Sequence, residues 1–234
     1  MAATPAMTFL QMAQRLRQEG RSSGSGPASV VSQSGDSLDY VTWIQESWNT
    51  IQTIKRGWRW MFGSVVIPVT AGMRDISLAT IFPAADDLGR FAHWVPSAMK
   101  YRTVAGGLAD ERSVWGGLYV PERDYGAVPT ANKPTEVIIM PDNSLRLSHQ
   151  VTEDGVLTAR YYKGPQALLA DADVPEMPAR FHMLIVWNAL IDHAISEVAQ
   201  EQFERAQMRR DELWYALVND QLDDVDLYST TMVR

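Results

Sequence analysis

Apolar residues recur every three to four positions at both ends of the chain and nearly every second position through its middle. That pattern predicts helices flanking a β-rich insert. Thr8-Phe9-Leu10-Gln11 opens the first helix as a capping box: the Thr8 hydroxyl accepts from the Gln11 amide and the Gln11 side chain reaches back, with Met7 and Met12 placed as a staple. The helix is expected over residues 9–19, stopped at Gly20. Residues 20–35, GRSSGSGPASVVSQSG, predict a flexible loop. Its close glycines are followed by no Gly-Lys-Ser/Thr and preceded by no strand, so they do not make a phosphate cradle. Asp36 or Ser37 is then expected to cap a long amphipathic helix in which Val41, Ile44, Trp48, Ile51, Trp58 and Phe62 form a seam ending at Gly63.

From Ser64 the period shortens. SVVIPVT, DISLAT and KYRTV predict strands, with Pro68 marking an edge or a bulge. TEVIIM, LRLSHQV and VLTARYYKG, separated by the turns PDNS and TEDG, predict a three-stranded meander. Residues 106–134 are rich in Gly and Pro and show no period, which predicts a long excursion. DADVPEMP holds the backbone extended, and Pro178 suits the first position of a final helix expected over residues 178–218. The first half of that helix is apolar nearly all round, through Leu184, Ile185, Trp187, Ile191, Ile195 and Val198. Its second half keeps only the stripe Phe203, Ala206, Leu213 and Leu217. The predicted class is therefore α+β: a long-helix bundle built from residues 1–63 and 166–225, an inserted β-rich domain over 64–165, and an extended C-terminal tail over 226–234. Tyr228, Thr230, Thr231 and Val233 favour a strand too short to fold alone, so the tail is expected to dock on a partner.

Composition narrows the chemistry. With no cysteine among 234 residues, disulfides, thiolate nucleophiles and thiolate metal sites are excluded. A net charge of −7 argues against gripping nucleic acid through its phosphates. No long apolar run predicts a membrane span and no secretory leader is apparent, so a soluble chain made in the cytoplasm is expected.

His182 and His193 are the candidates for chemistry. They lie on nearly the same helical face, but eleven residues of helix separate them by about 16 Å, too far to share one ion. Asp192 points about 100° away from His193, so the two make no acid–base couple. Asp171, Asp173 and Glu176 could bind a divalent cation, yet they lack the glycine and the terminal glutamate of a calcium loop. They also suit a helix entry, where acids face the positive N-terminus. Trp43, Trp48, Trp58 and Trp60 fall at helical spacing, which is the pattern of core or interface anchors before that of a ligand box. No hydrolase, metalloprotease, P-loop or dinucleotide fingerprint appears, so a noncatalytic protein without cofactor or metal is expected.

Three blocks carry a family resemblance. MTFLQMAQRLRQEG with GSGPASVVSQSGDSLDYVTWIQESWNTIQ, then YYKGPQALLADADVPEMPARFHMLIVWNALIDHA, then the Gln/Glu/Arg-bearing continuation through Tyr215, resemble the head-to-tail adaptor (connector) proteins of tailed bacteriophages. The resemblance implies a virion component at the head–tail junction, commonly a ring of twelve copies beneath the portal protein. It further implies a tail-side neighbour below, no membrane, and DNA sliding through without specific binding. Trp48, Trp58, Trp187, Phe203, Leu213, Tyr228 and Val233 are then the candidate interface residues. The rival readings are a small metal-dependent hydrolase using Asp171, Asp173 and His182, and a helical module with an aromatic ligand pocket.

Overall fold

The computed structural model describes residues 5–22, 26–55, 57–83, 89–119 and 130–221. The chain divides into a helical unit, Met1–Trp60 with Pro165–Arg234, and a β-rich unit, Met61–Gly164. In chain order the elements are α1 (Phe9–Glu19), α2 (Asp36–Ile54), β1 (Phe62–Val69), β2 (Asp75–Ile76), α3 (Leu78–Ile81), β3 (Phe91–Trp94), β4 (Met99–Thr103), β5 (Arg112–Leu118), β6 (Thr130–Ala131), β7 (Glu136–Ile139), β8 (Leu145–Leu147), β9 (Gln150–Val151), β10 (Gly155–Lys163), α4 (His182–Ser196) and α5 (Gln200–Gln221). The α+β class stands, but the long-helix bundle does not. No described helix exceeds 22 residues, and the β-rich unit is built on an eight-stranded sheet.

The helix expected over residues 178–218 is two helices. α4 ends in a Schellman motif: the Ala199 amide donates to the Ala194 carbonyl (2.8 Å) and the Val198 amide to the Ile195 carbonyl (3.2 Å). Val198 takes the left-handed position at φ 53°, where glycine is usual. The backbone thus reverses through a β-branched residue, and α5 folds back to pack on α4.

α2 also departs from expectation. Its N-cap is Gly35, which makes no side-chain cap, and Asp36 and Asp39 sit in the first turn beside the positive helix end. It stops at Ile54, with Lys55 extended. Gly57 at φ 97° then lets the chain turn back, and the Trp58 indole donates to the Ile51 carbonyl (2.9 Å), one of the acceptors the helix end leaves open. Trp58 stacks on Trp60 at 4.6 Å and meets Trp214 edge-on at 5.8 Å. Phe62, expected on the helix, begins β1.

α1 forms as its sequence predicts. The Gln11 amide donates to the Thr8 hydroxyl and the Thr8 amide to the Gln11 side chain, while Phe9, Met12, Ala13 and Leu16 are buried.

Within the β-rich unit the sheet order is β1-β10-β4-β5-β7-β8-β2, with β3 beside the far end of β10. All its pairs are antiparallel except β5–β7. β1 is an edge, which accommodates Pro68 because no neighbour needs its missing N–H. Ile67, Val69, Leu157, Tyr101, Val137 and Leu147 alternate inward to form the core.

Three local expectations fail here. The meander is only the β7–β8 hairpin, because β10 pairs with β1, β4 and β3. DISLAT gives a two-residue strand followed by α3, capped by the Ser77 hydroxyl on the Thr80 amide. The 106–134 stretch contains β5, an interior strand of the sheet.

Candidate interaction surface

The acidic residues and His182 are spent on holding the helical unit together. The first amides of α1 need acceptors, and the chain supplies them from a distance: Phe9 donates to the Asp173 carbonyl (2.7 Å) and Leu10 to the Asp171 carbonyl (3.3 Å). The Asp171 carboxylate accepts from the Val30 amide (2.6 Å) and the Ser29 hydroxyl (3.0 Å), which pins part of the loop before α2. Asp173 accepts from the Leu169 and Ala170 amides (2.7 and 2.8 Å). The Ala170 and then the Leu169 bond hold its carboxyl below the usual carboxylate range.

His182 is buried. Its Nδ1 accepts from the Met7 amide (3.0 Å), so the neutral ring carries its proton on Nε2 and donates to the Met177 carbonyl (2.9 Å). Burial pushes its pKa down. His193 is buried too, stacked on Tyr40 at 5.7 Å and edge-on to Trp43 at 5.4 Å. Burial lowers its pKa as well, with Glu197 opposing. The structure therefore puts Asp171, Asp173 and His182 around the start of α1 and not around a common centre. Among the described residues no three His, Asp or Glu side chains gather into a set that could hold a metal.

What the helical unit leaves unspent is apolar surface. Ile195, Val198, Met208 and Tyr215 are exposed on α4, α5 and the turn between them, Val198 by 89%. Two grooves run along α5. Met183, Trp187, Met208 and Leu213 line one, with Arg205 and Arg209 at its rim. Ile51, Ile54 and Trp214 line the other, with Lys55, Arg210 and Asp211. At 100° per residue, positions 205, 208, 209, 212 and 213 centre roughly opposite 210, 211 and 214, so the grooves lie on opposite flanks of α5.

The expected interface residues fall in three places. Trp48 and Trp58 are buried in the subunit's own core, at 1% and 0% exposure, and have no further surface to cover. Trp187 and Leu213 line the first groove, and Phe203 lines a third depression beside Ile195 and Val198. Tyr228 and Val233 lie outside the described residues. Sequence reasoning missed Met208, Tyr215 and Ile54, because an apolar side chain facing solvent carries no local signature.

Buried polar groups committed to folding, beside apolar grooves left open, describe a protein that works by packing against other proteins. The SU10 adaptor protein family model matches residues 7–234, and the chain belongs to that family of phage head-to-tail adaptors. No curated protein matches it. It is a structural adaptor and a virion component that meets other phage head or tail proteins, and its family is not a known enzyme family.

Proposed function

We propose that copies of this chain close into a homo-oligomeric ring at the head–tail junction, joining the portal protein above to a downstream tail component below, with DNA passing through the central channel. The observation that supports this reading is the adaptor-family match over residues 7–234, together with apolar surface left open on both flanks of α5. A ring closes through heterologous contacts, which need two different surfaces on each subunit. A two-fold dimer would need only one.

The charge supports the channel. The chain carries 21 basic and 28 acidic residues, and such a balance repels phosphate and lets DNA slide. Twelve is the copy number that the family resemblance implies. The test is the native mass of the purified protein with electron microscopy of the particles. A ring of uniform copy number is expected, and a chain that stays monomeric at every accessible concentration would sink the reading.

A further inference from the structure

We propose that the solvent face of the sheet across β1, β10 and β4, with β3 beside it, seats an extended acidic segment of another virion protein. These four strands carry Lys100, Arg102, Arg160, Lys163 and His93 and no Asp or Glu, in a chain whose net charge is −7.

Alternation puts this charge on one side. Ile67, Val69, Tyr101, Leu157 and Ala159 point into the core, so Val66, Pro68, Lys100, Arg102, Thr158 and Arg160 point out. Register then aligns them: Val156 faces Arg102 and Thr158 faces Lys100, with Arg160 two residues further along β10. Two residues of strand span about 7 Å and neighbouring strands lie about 4.8 Å apart, so Arg102, Lys100 and Arg160 form a row with steps of about 7 and about 8 Å. An extended polypeptide repeats the side chains of one side at the same interval of about 7 Å. Acids at alternate positions of such a segment meet the row one to one.

Much of the row's charge is unspent. Lys100 pairs with Glu111 (2.9 Å) at its border. Among the described residues Arg102 and Arg160 enter no ion pair, and Arg160 lies over the Phe62 ring at 5.5 Å. At the other end of the sheet Arg146 has Asp75 on the facing strand (2.6 Å), a neutralising acid that β1, β3, β4 and β10 all lack.

What lies beside the row selects polypeptide over nucleic acid. β1 turns Phe62, Val66 and Pro68 to the same side, Val66 64% exposed, and Tyr162 packs there against Phe62 (5.3 Å) and His93 (5.1 Å). Phosphates are met by cations together with hydroxyl and amide donors, and of these the outward side of β1 offers only Ser64. Aromatic rings and arginines on an apolar floor are the makeup of a protein interface. The inference needs neither a ring nor a copy number, so its failure leaves the ring reading and its native-mass test standing.

The test uses assembled particles. The native chain has no cysteine, so Val66→Cys is labelled alone by a maleimide, in the free chain and in virions. In parallel, p-benzoylphenylalanine replaces Val66 and is photolysed in virions, and mass spectrometry reads the linked segment. We expect labelling at least tenfold slower in virions, and a linked segment from a different virion protein with Asp or Glu at alternate positions. Arg102→Glu together with Arg160→Glu should cut the crosslink at least tenfold at an unchanged melting temperature, and reversing the linked segment's acids to lysine should restore it. Equal labelling in both states overturns the proposal, as does a link to DNA, to this chain itself or to a segment without acids. A crosslink that survives the charge reversal overturns it too. Where the reversed chain fails to enter virions, the reversed partner decides: recovery supports the contact, and no recovery refutes it.

Discussion

Val198 takes a left-handed conformation at φ 53° while 89% of its side chain faces solvent. A residue with a Cβ in that region costs about 1–2 kcal/mol, and a β-branched residue belongs at the upper end. Because the side chain is so exposed, removing it forfeits little burial within the subunit. Glycine relieves the strain but adds about 0.5–1 kcal/mol of chain entropy to be lost on folding. Val198→Gly should therefore stabilise the helical unit by about 1–1.5 kcal/mol, with Val198→Asn and Val198→Ala acting in the same direction and Val198→Ala gaining less. Urea unfolding followed by tryptophan fluorescence reads mainly this unit, since six of the eight tryptophans belong to it and only Trp94 and Trp115 lie in the β-rich unit. The measurement belongs at dilutions where association does not add to stability. A loss of more than about 0.5 kcal/mol in Val198→Gly would refute the strain argument, because it would mean the valine packs within the subunit.

Asp171→Ala should cost about 2 kcal/mol by orphaning the Val30 amide and the Ser29 hydroxyl, with Asp171→Asn recovering part of it; divalent cations that stabilise the native chain and not the variant would return Asp171 to a metal site. Both buried histidines have lowered pKa values, so the folded chain takes up their protons at lower pH than the unfolded one. The stability they contribute is full above the unfolded value of about 6.5 and is lost as pH falls from there through the folded values. His193→Phe should flatten the stability profile between about pH 6.5 and pH 5, and an unchanged slope there would disprove the burial argument. Deleting residues 226–234 should leave the melting temperature nearly unchanged and abolish attachment to portal-containing heads; a truncated chain that joins heads normally would end the docking-tail proposal.

How much of this was legible depended on whether the deciding contact was local. The α1 capping box spans four residues and could be read directly, because donor and acceptor are neighbours in sequence. The end of α2 could not. Trp58 and Phe62 continue the helical spacing after Ile51, yet the Trp58 indole turns back to close the helix, and only Gly57 hinted at the turn. The α4–α5 break lacked its usual glycine, since Val198 occupies that position. Strands β7, β8 and β10 each showed their alternation, but the choice of partner for β10 lies in β1 and β4, far away in the chain. The candidate chemistry was similarly half visible. Asp171, Asp173 and His182 stood out as a group; the Asp173 carboxylate serves its own turn at Leu169 and Ala170, but the bonds these three residues accept from residues 7, 9, 10, 29 and 30 are pairings that no local spacing reveals.

The apolar circumference of α4 suggests from sequence alone that a neighbouring subunit covers one of its sides. The structure gives another account: α4 packs against α1, α2 and α5 at once, so Leu184, Ile185, Val186, Ala189 and Leu190 are all buried within one chain. The inward side of that helix is therefore the subunit's own core, while Met183, Trp187 and Ile195 on its other sides stay at least partly open. The partly polar α5, whose stripe reads as an ordinary amphipathic surface, shares the open grooves with α4 and α2 and carries the exposed Met208 and Tyr215. This division follows from what each surface must survive. A side chain buried before assembly can be wholly apolar, because water never meets it once the subunit has folded. A surface that waits in solvent for its partner must keep enough charge to stay soluble, and α5 does so with Arg205, Arg209, Asp211 and Glu212 interleaved among its apolar positions. Surfaces for assembly in such a chain are to be sought where apolar residues are mixed with paired charges.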